Sequence, residues 1–546
     1  MASPNALPAA DLANALAHAH VQTAPGLVGW LPILPVAIPL LVAALMMVLR
    51  ERTERHQPLA LITILFLILV EARLLVEVWL HGPVTVVMGK WRPPFGIAFT
   101  ADLTGTLFAL SAAIAALAAA LHADGNISTS GRRYGFYPLL MVLMAGVSGA
   151  FLTGDIFNLY VWFEVLLIAS FGLLILGSER EQIDGALKYA VLNLLATTLF
   201  LMAIGYLYAI FGTLNMADIA RKAETVRADA PMMTLACLFA LAFAMKAAAF
   251  PVNFWLPAAY HTPYMTVAGL FAALLTKVGV YSLLRVLVML LPFEYNGLTG
   301  LIAVVAAATM IFGALGGLAQ SDSRRLMGFI VIAGIGNCLA GIAIGGVEGL
   351  SGAILYALHS ILLMGGLYFV VGQAGRMAQS FDLARMGGLY RRAPVFSYLA
   401  LALFFAASGL PPFSGFWPKA ILVKAALDTG HGWLAAFLLL AGFLTTLTLA
   451  RLYLLAFWRP EPSEDMSFTD KTAAAKASVP GPSVPGLAAG HNPSRMTMAA
   501  ISLIAAFVLG FGLFPERIID LAQTAALGLI DPHAYISSVF PAGAQP

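Results

Sequence analysis

The sequence predicts an all-α polytopic membrane protein of about 14 transmembrane helices. It predicts two inverted five-helix repeats (spans 4–8 and 9–13), with helices 7 and 12 broken. Three observations carry this. First, the 546-residue chain is 60% hydrophobic and only 10% charged, with mean hydropathy +0.88. Soluble proteins carry about 25% charged residues. Second, apolar stretches of spanning length, roughly 20 residues, recur from residue 27 to residue 515. Third, prolines and glycines cluster inside two of those stretches, and a lysine stands beside each cluster. The composition excludes a cytosolic enzyme, a disordered chain and a nucleic-acid binder. Lys+Arg 30 against Asp+Glu 27 leaves net +3, which implies no polyanionic partner. Cys237 and Cys338 are too few for a disulfide framework or an iron–sulfur cluster. Both sit in apolar runs and read as inert thiols. No Rossmann fingerprint, P-loop or zinc-ligand spacing occurs, so no cofactor and no metal are expected.

In chain order, residues 1–26 form an N-terminal extracytoplasmic segment, which lacks the basic n-region of a signal peptide. Spans 27–49, 58–80 and 103–121 make a peripheral unit, 27–134. Spans 135–153, 156–177, 186–212, 231–250 and 262–290 make a first half, 135–290. Spans 298–318, 326–346, 350–372, 395–427 and 430–457 make a second half, 291–457. Residues 458–496, with six prolines from Pro460 to Pro493, read as a loose cytoplasmic loop. Residues 497–546 hold the last span, 497–515, and a tail. The weakly amphipathic start of that tail, Arg517 to Asp531, suits either the membrane surface or a partner. Loops after odd-numbered spans carry 17 Lys and Arg, counting Lys188 at the very start of the next span, and loops after even-numbered spans carry 5. That bias places the odd loops in the cytoplasm and both termini outside, in a multi-pass protein of the bacterial inner membrane.

Ionisable groups inside spans are costly and mark function unless they pair or snorkel. Arg73 with Glu71 and Glu77 reads as an ion pair within one helix. Arg285 and Arg451 stand near span ends and read as snorkelling, and Lys188 as a helix-start charge. Glu164, Lys246 and Lys277 have long apolar flanks, so snorkelling does not explain them. Lys419 and His359 join them, with His261, Lys424 and Asp155 as accessory candidates. Burial disfavours the charged form of each, and neighbouring charges restore it. A row of such groups passes protons as pairing and hydration change.

The breaks stand at these lysines. Pro251 removes the hydrogen bond to the carbonyl of Ala247, one residue after Lys246. Pro257 and Pro263 extend that irregularity past His261. Gly409-Leu-Pro411-Pro412-Phe-Ser-Gly415-Phe-Trp-Pro418 precedes Lys419. Irregular backbone at membrane depth must line water or lie in protein. The two breaks are an odd number of spans apart, so their helices run in opposite directions, as in inverted-repeat transporters.

Four stretches carry a resemblance: Gly89-Lys-Trp-Arg-Pro-Pro-Phe-Gly-Ile97 with Asp102; Thr153-Gly-Asp155-Ile-Phe-Asn158-Leu-Tyr-Val-Trp-Phe-Glu164-Val-Leu-Leu-Ile-Ala-Ser170; Phe250-Pro-Val-Asn-Phe-Trp-Leu-Pro-Ala-Ala-Tyr-His-Thr-Pro263; and Leu275-Thr-Lys277-Val-Gly-Val-Tyr281. From about residue 27 to 457 the chain resembles the antiporter-like membrane subunits shared by respiratory complex I and the multisubunit Mrp-type cation/proton antiporters. Within these it is most similar to the D-type subunits of the Mrp antiporters. The resemblance implies that Glu164 and Lys246 form a coupling pair, that Lys277 is a central relay, and that Lys419 is an exit-side relay. It implies that His359 matches the histidine of the eleventh span. Complex I relatives often add a lysine shortly after that histidine, whereas Ser360-Ile-Leu-Leu-Met364-Gly-Gly follows here. That departure leans toward the Mrp type.

The resemblance also implies partners: other membrane subunits, protons, and Na⁺ or K⁺. Mid-span carboxylates are few, so the chain is expected to carry mainly the proton branch. Two other readings stay open. One is a proton-pumping subunit of an NADH–quinone oxidoreductase or membrane-bound hydrogenase. The other is a scaffold whose buried charges only fix packing.

Overall fold

The structure, a computed structural model, describes residues 26–226, 230–461 and 492–541. Nearly all of the expected N-terminal segment and most of the Pro-rich loop lie outside the described residues. Among the described residues, ten helices are long and apolar enough to cross a bilayer. Four shorter apolar helices accompany them: Leu34–Val48, Phe136–Leu152, Met232–Ala247 and Pro394–Ser408.

Before the first half come α1 (Leu34–Val48), α2 (His56–His81) and α3 (Leu103–His122). The first half holds α4 (Phe136–Leu152), α5 (Ile156–Leu174), α6 (Arg180–Phe211), a broken α7 (α7a, Met232–Ala247; α7b, Trp255–Ala259) and α8 (Met265–Leu283). The second half holds α9 (Pro292–Ala319), α10 (Ser323–Ile344), α11 (Gly346–Ala378), a broken α12 (α12a, Pro394–Ser408; α12b, Phe416–Asp428) and α13 (Gly432–Tyr453). Then come α14 (Arg495–Leu513), α15 (Glu516–Ile530) and α16 (His533–Val539). Helix α6 begins before its apolar stretch. The Glu179 and Gln182 side chains close a capping box there, and hydropathy does not register a polar first turn.

The two halves repeat each other in backbone detail. In the first, Ile156 N donates to Leu214 O at 2.9 Å and Met216 N to Gly154 O at 2.9 Å. In the second, Ser323 N donates to Phe381 O at 2.9 Å and Leu383 N to Ser321 O at 2.9 Å. Each clasp ties the loop between the first two helices of a half to the loop after its third. Asp155 and Asp322 stand at matching positions and cap α5 and α10. Both α7a and α12a end in a left-handed residue, Ala248 and Gly409. Both α8 and α13 run on into a π-helical turn, Leu284–Leu290 and Leu454–Trp458. Five spans per half is an odd number, so the copies stand opposite ways up.

Helices α8 and α11 form the axis of the molecule. Their membrane windows are 100% buried, against 39% for α2, α6 and α13. α11 packs against α8, α10, α12b, α3, α14 and α15.

Two expectations are corrected, for Arg285 and for Glu71, and two features are added, a short hairpin and the packing of the tail. A two-stranded antiparallel hairpin, β1 (Val84–Val87) and β2 (Ala98–Ala101), interrupts the all-helical pattern, in a Val-Thr-Val-Val run suited to strand. Arg285 does not snorkel. It is 1% exposed, and its Nη2 meets Asp102 Oδ1 at 2.6 Å. Arg73 pairs with Glu77 at 2.7 Å, but Glu71 points away from both and is buried against α4. The tail lies on its own chain: α15 packs on α11 and α3, and Ser538 Oγ lies 2.9 Å from Thr85 Oγ1 of the hairpin.

Candidate proton-relay site

Lys246 is the penultimate residue of α7a, just before the break. The chain turns there because Ala248 takes the left-handed conformation and Ala249 N bonds back to Ala244 O at 2.9 Å. Lys246 is 2% exposed, and its Nζ has no hydrogen-bond partner among the described residues. The ammonium lies 5.5 Å from the centroid of the Phe163 ring. Glu164 follows on α5, half-buried, and acts on Lys246 electrostatically without touching it. A buried cation with so little compensation is costly. Its charge therefore depends on how near the carboxylate and water stand.

Lys277 is wholly buried in the middle of α8, and its Nζ donates to Ala272 O of its own helix at 2.5 Å. Gly279, two residues along, lies against the α7a backbone: a Cβ there would sit 2.7 Å from Ala247 N. The helices carrying Lys246 and Lys277 thus touch at the level of both lysines.

His359 is 4% exposed on α11. Its Nδ1 lies 2.7 Å from Ser414 Oγ in the break of α12, and its Nε2 has no partner among the described residues. Both Lys277 and Lys419 act on it electrostatically. Lys419, half-buried in the first turn of α12b, donates to Ala407 O at 3.0 Å and Ser408 O at 2.9 Å. These are the last carbonyls of α12a, the negative end of that half-helix, which favours a cation. Lys419 also lines a cleft of about 590 Å³ with Phe416, Leu439 and Phe443.

Two glycines make this break possible. Gly409 has φ +81°, and a Cβ there would also strike the Lys419 stem at 2.6 Å. Gly415 has no room: a Cβ would sit 2.0 Å from Ala406 O and 3.0 Å from His359 Nε2. Gly415→Ala is expected to displace α12b from His359 and lower exchange by about 10²-fold, the cost of a 1 Å misplacement. Exchange assays on vesicles with equal amounts of complex measure this.

The accessory candidates fall elsewhere. Asp155 caps α5, accepting from Asn158 N at 2.8 Å. Lys424 is 62% exposed and bonds Glu348 and Asp428, each at 2.8 Å. His261 lies between α7b and α8, lining a charged cleft of about 490 Å³ with Glu181, Asp184, Lys188 and Arg325. Its Nδ1 stands 2.8 Å from Pro257 O and its Nε2 3.3 Å from Arg325 Nη2. A guanidinium only donates, so Nε2 accepts and Nδ1 carries the hydrogen. Burial, then Arg325, push His261 down from 6.5 to about 4. The unfolded chain therefore binds this proton and the fold does not between those values, so stability rises with pH across that window. His261→Gln is expected to flatten that rise, read as melting temperature of the complex against pH.

The sequence marks the break that holds Ser414 and Gly415 but not their contact with His359, and it does not mark Arg325. Ser414 and Gly415 lie in the break, and their proximity to His359 depends on the fold. Arg325 stands at the start of α10, far along the chain from His261.

The sequence model described as "NADH:quinone oxidoreductase/Mrp antiporter, TM" matches residues 153–445. The D-type Na⁺/H⁺ antiporter subunit of Alkalihalophilus pseudofirmus is 34% identical over 93% of this chain and 99% of its own. That of Bacillus subtilis is 32% identical over 93% and 98%. A chain of the Mrp complex from Dietzia sp. DQ12-45-1b superposes with TM-score 0.84 at 27% identity, covering 94% of this chain and 100% of that one. A chain of respiratory complex I from Thermus thermophilus superposes with TM-score 0.75 at 23% identity over 92% and 100%, a likeness of fold. With the family model matching more than half of its residues and relatives above 30% identity covering 93% of it, the chain belongs to the NADH:quinone oxidoreductase/Mrp antiporter family, among the relatives of the D-type Na⁺/H⁺ antiporter subunits.

Proposed function

We propose that this chain is the proton-translocating subunit of a multisubunit Na⁺ or K⁺/H⁺ antiporter in a bacterial cell membrane. Protons move along Glu164, Lys246, Lys277, His359 and Lys419. One observation carries the reading: ionisable groups recur through the buried axis of both halves, at the two helix breaks and on α8 and α11. The two ends of the row, Glu164 and Lys419, are half-buried, whereas the groups between are buried. Each end is therefore open to a neighbouring subunit.

Residues 135–290 and 291–457 act as two half-units, each with its own break. The Arg- and Lys-rich odd loops face the cytoplasm, and both termini face outward. The charged cleft at His261 then lies on the cytoplasmic side. The partners are the other membrane subunits, and the cation branch belongs to the assembly.

The experiment is exchange in everted vesicles holding the whole complex, driven with Na⁺ and with K⁺. Lys277→Arg is expected to lose exchange, because a guanidinium keeps its proton. A lysine that only supplies a positive field or a packing contact tolerates this change. Full exchange in that variant overturns the relay role of Lys277.

A further inference from the structure

Glu71 belongs to no part of the relay, yet it is 1% exposed inside α2. Ser148 Oγ of α4 donates to its Oε1 at 3.0 Å. Its Oε2 has no partner among the described residues. No cation among the described residues reaches it. α1 carries no titratable side chain, α4 only Tyr137, and α3 only His122 at its far end. Asp102, which caps α3, is occupied by Arg285. The turn before α2 holds Glu54 and Arg55 at the opposite end of the helix. On α2 itself, His56 bonds Leu49 O at 3.2 Å, and Arg73 and His81 are both paired with Glu77. A carboxylate in such a place would be a buried charge without a counter-charge, whereas a carboxylic acid is tolerated.

What lies behind Ser148 gives this acid a consequence. Gly146 and Gly149 share the other side of α4, and there α5 makes close contact. A Cβ at 146 would meet Leu166 backbone at 3.0 Å, and one at 149 would meet the Trp162 ring at 2.4 Å. Trp162 and Leu166 flank Glu164, and the helical period sets Glu164 on the far side of α5 from them. Two helices packed without clearance separate Glu71 from the first group of the relay.

We propose that Glu71 is a positioning residue for Glu164, held as the neutral acid, and that release of its proton to water parts α2 from α4 and shifts α5. Exchange then falls as pH rises through the ionisation of Glu71. The consequence for exchange rests on the relay reading of Glu164; the protonation state of Glu71 does not.

Two measurements on the assembled complex test this. Infrared difference spectra of the wild type are expected to show a protonated-carboxyl C=O stretch that Glu71→Gln lacks and that fades at alkaline pH. In everted vesicles Glu71→Gln, which cannot ionise, is expected to exchange like the wild type on the acid side. Its alkaline falling limb is expected to move up by about one pH unit or more, a tenfold change in proton concentration. An unchanged limb overturns the coupling to Glu164. A spectrum in which Glu71→Gln removes no protonated carboxyl overturns the neutral acid itself. Should Glu164→Ala exchange normally, the relay reading fails, and the infrared band still reports on Glu71.

Discussion

Glu164→Gln and Lys246→Ala are each expected to abolish cation/proton exchange, by about 10²-fold or more, the scale of a lost acid–base group. Assembly should survive both. Among the described residues, half-buried Glu164 has no ion pair to lose and Lys246 Nζ makes no hydrogen bond. Removing a buried cation that lacks partners relieves a desolvation cost as well as deleting a side chain. A scaffold role predicts the reverse pattern, with weakened assembly and normal exchange per assembled complex. Subunit content on native gels, with exchange measured in the same vesicles, separates the two. If both variants exchange protons normally, the relay is elsewhere.

Asp102→Ala is expected to destabilise the fold strongly. Arg285 is 1% exposed, and it donates to Asp102 at 2.6 Å and to Tyr281 Oη at 3.0 Å. Tyr281 Oη in turn donates to Phe151 O at 2.7 Å, and Tyr535 of the tail covers the guanidinium with its ring centroid 5.3 Å away. Deleting the carboxylate leaves a buried cation uncompensated, a loss of about 3–5 kcal/mol. Asp102 also caps α3 through Gly105 N at 2.9 Å, which adds about 1 kcal/mol. The double variant Asp102→Ser with Arg285→Met keeps the cap and removes the orphaned charge, so it should recover most of the loss. Thermal unfolding of the purified complex reads all three. A single variant as stable as the wild type would show that the pair does not hold the hairpin side together.

The spans are legible because a bilayer demands long apolar runs, and this chain has few polar residues to blur them. The breaks are legible because proline and glycine act locally. Glu164, Lys246, Lys277 and His359 stand out by the same logic, as charge or imidazole where hydrocarbon is expected. What stays hidden depends on contacts between distant segments. Arg285 reads as a span-end charge until Asp102 is folded onto it. Glu71 reads as a partner of Arg73 until the helical period turns it toward Ser148. The tail is only weakly amphipathic in sequence, and the face of α11 that it covers is not marked. The start of α6 escapes an apolar ruler because a capping box is polar.

The paired clasps have a consequence for vectoriality. A backbone built of two like units in antiparallel orientation has no inside and no outside of its own. Rotated by half a turn in the plane of the bilayer, the ribbon would look much the same. A preference for one direction of flow must then come from what breaks the likeness, the unrepeated helices at both ends of the chain and side chains that differ between the units. Side chains do so here: the first break has its lysine before the bend, the second after it, and histidine stands on the third helix of one unit only.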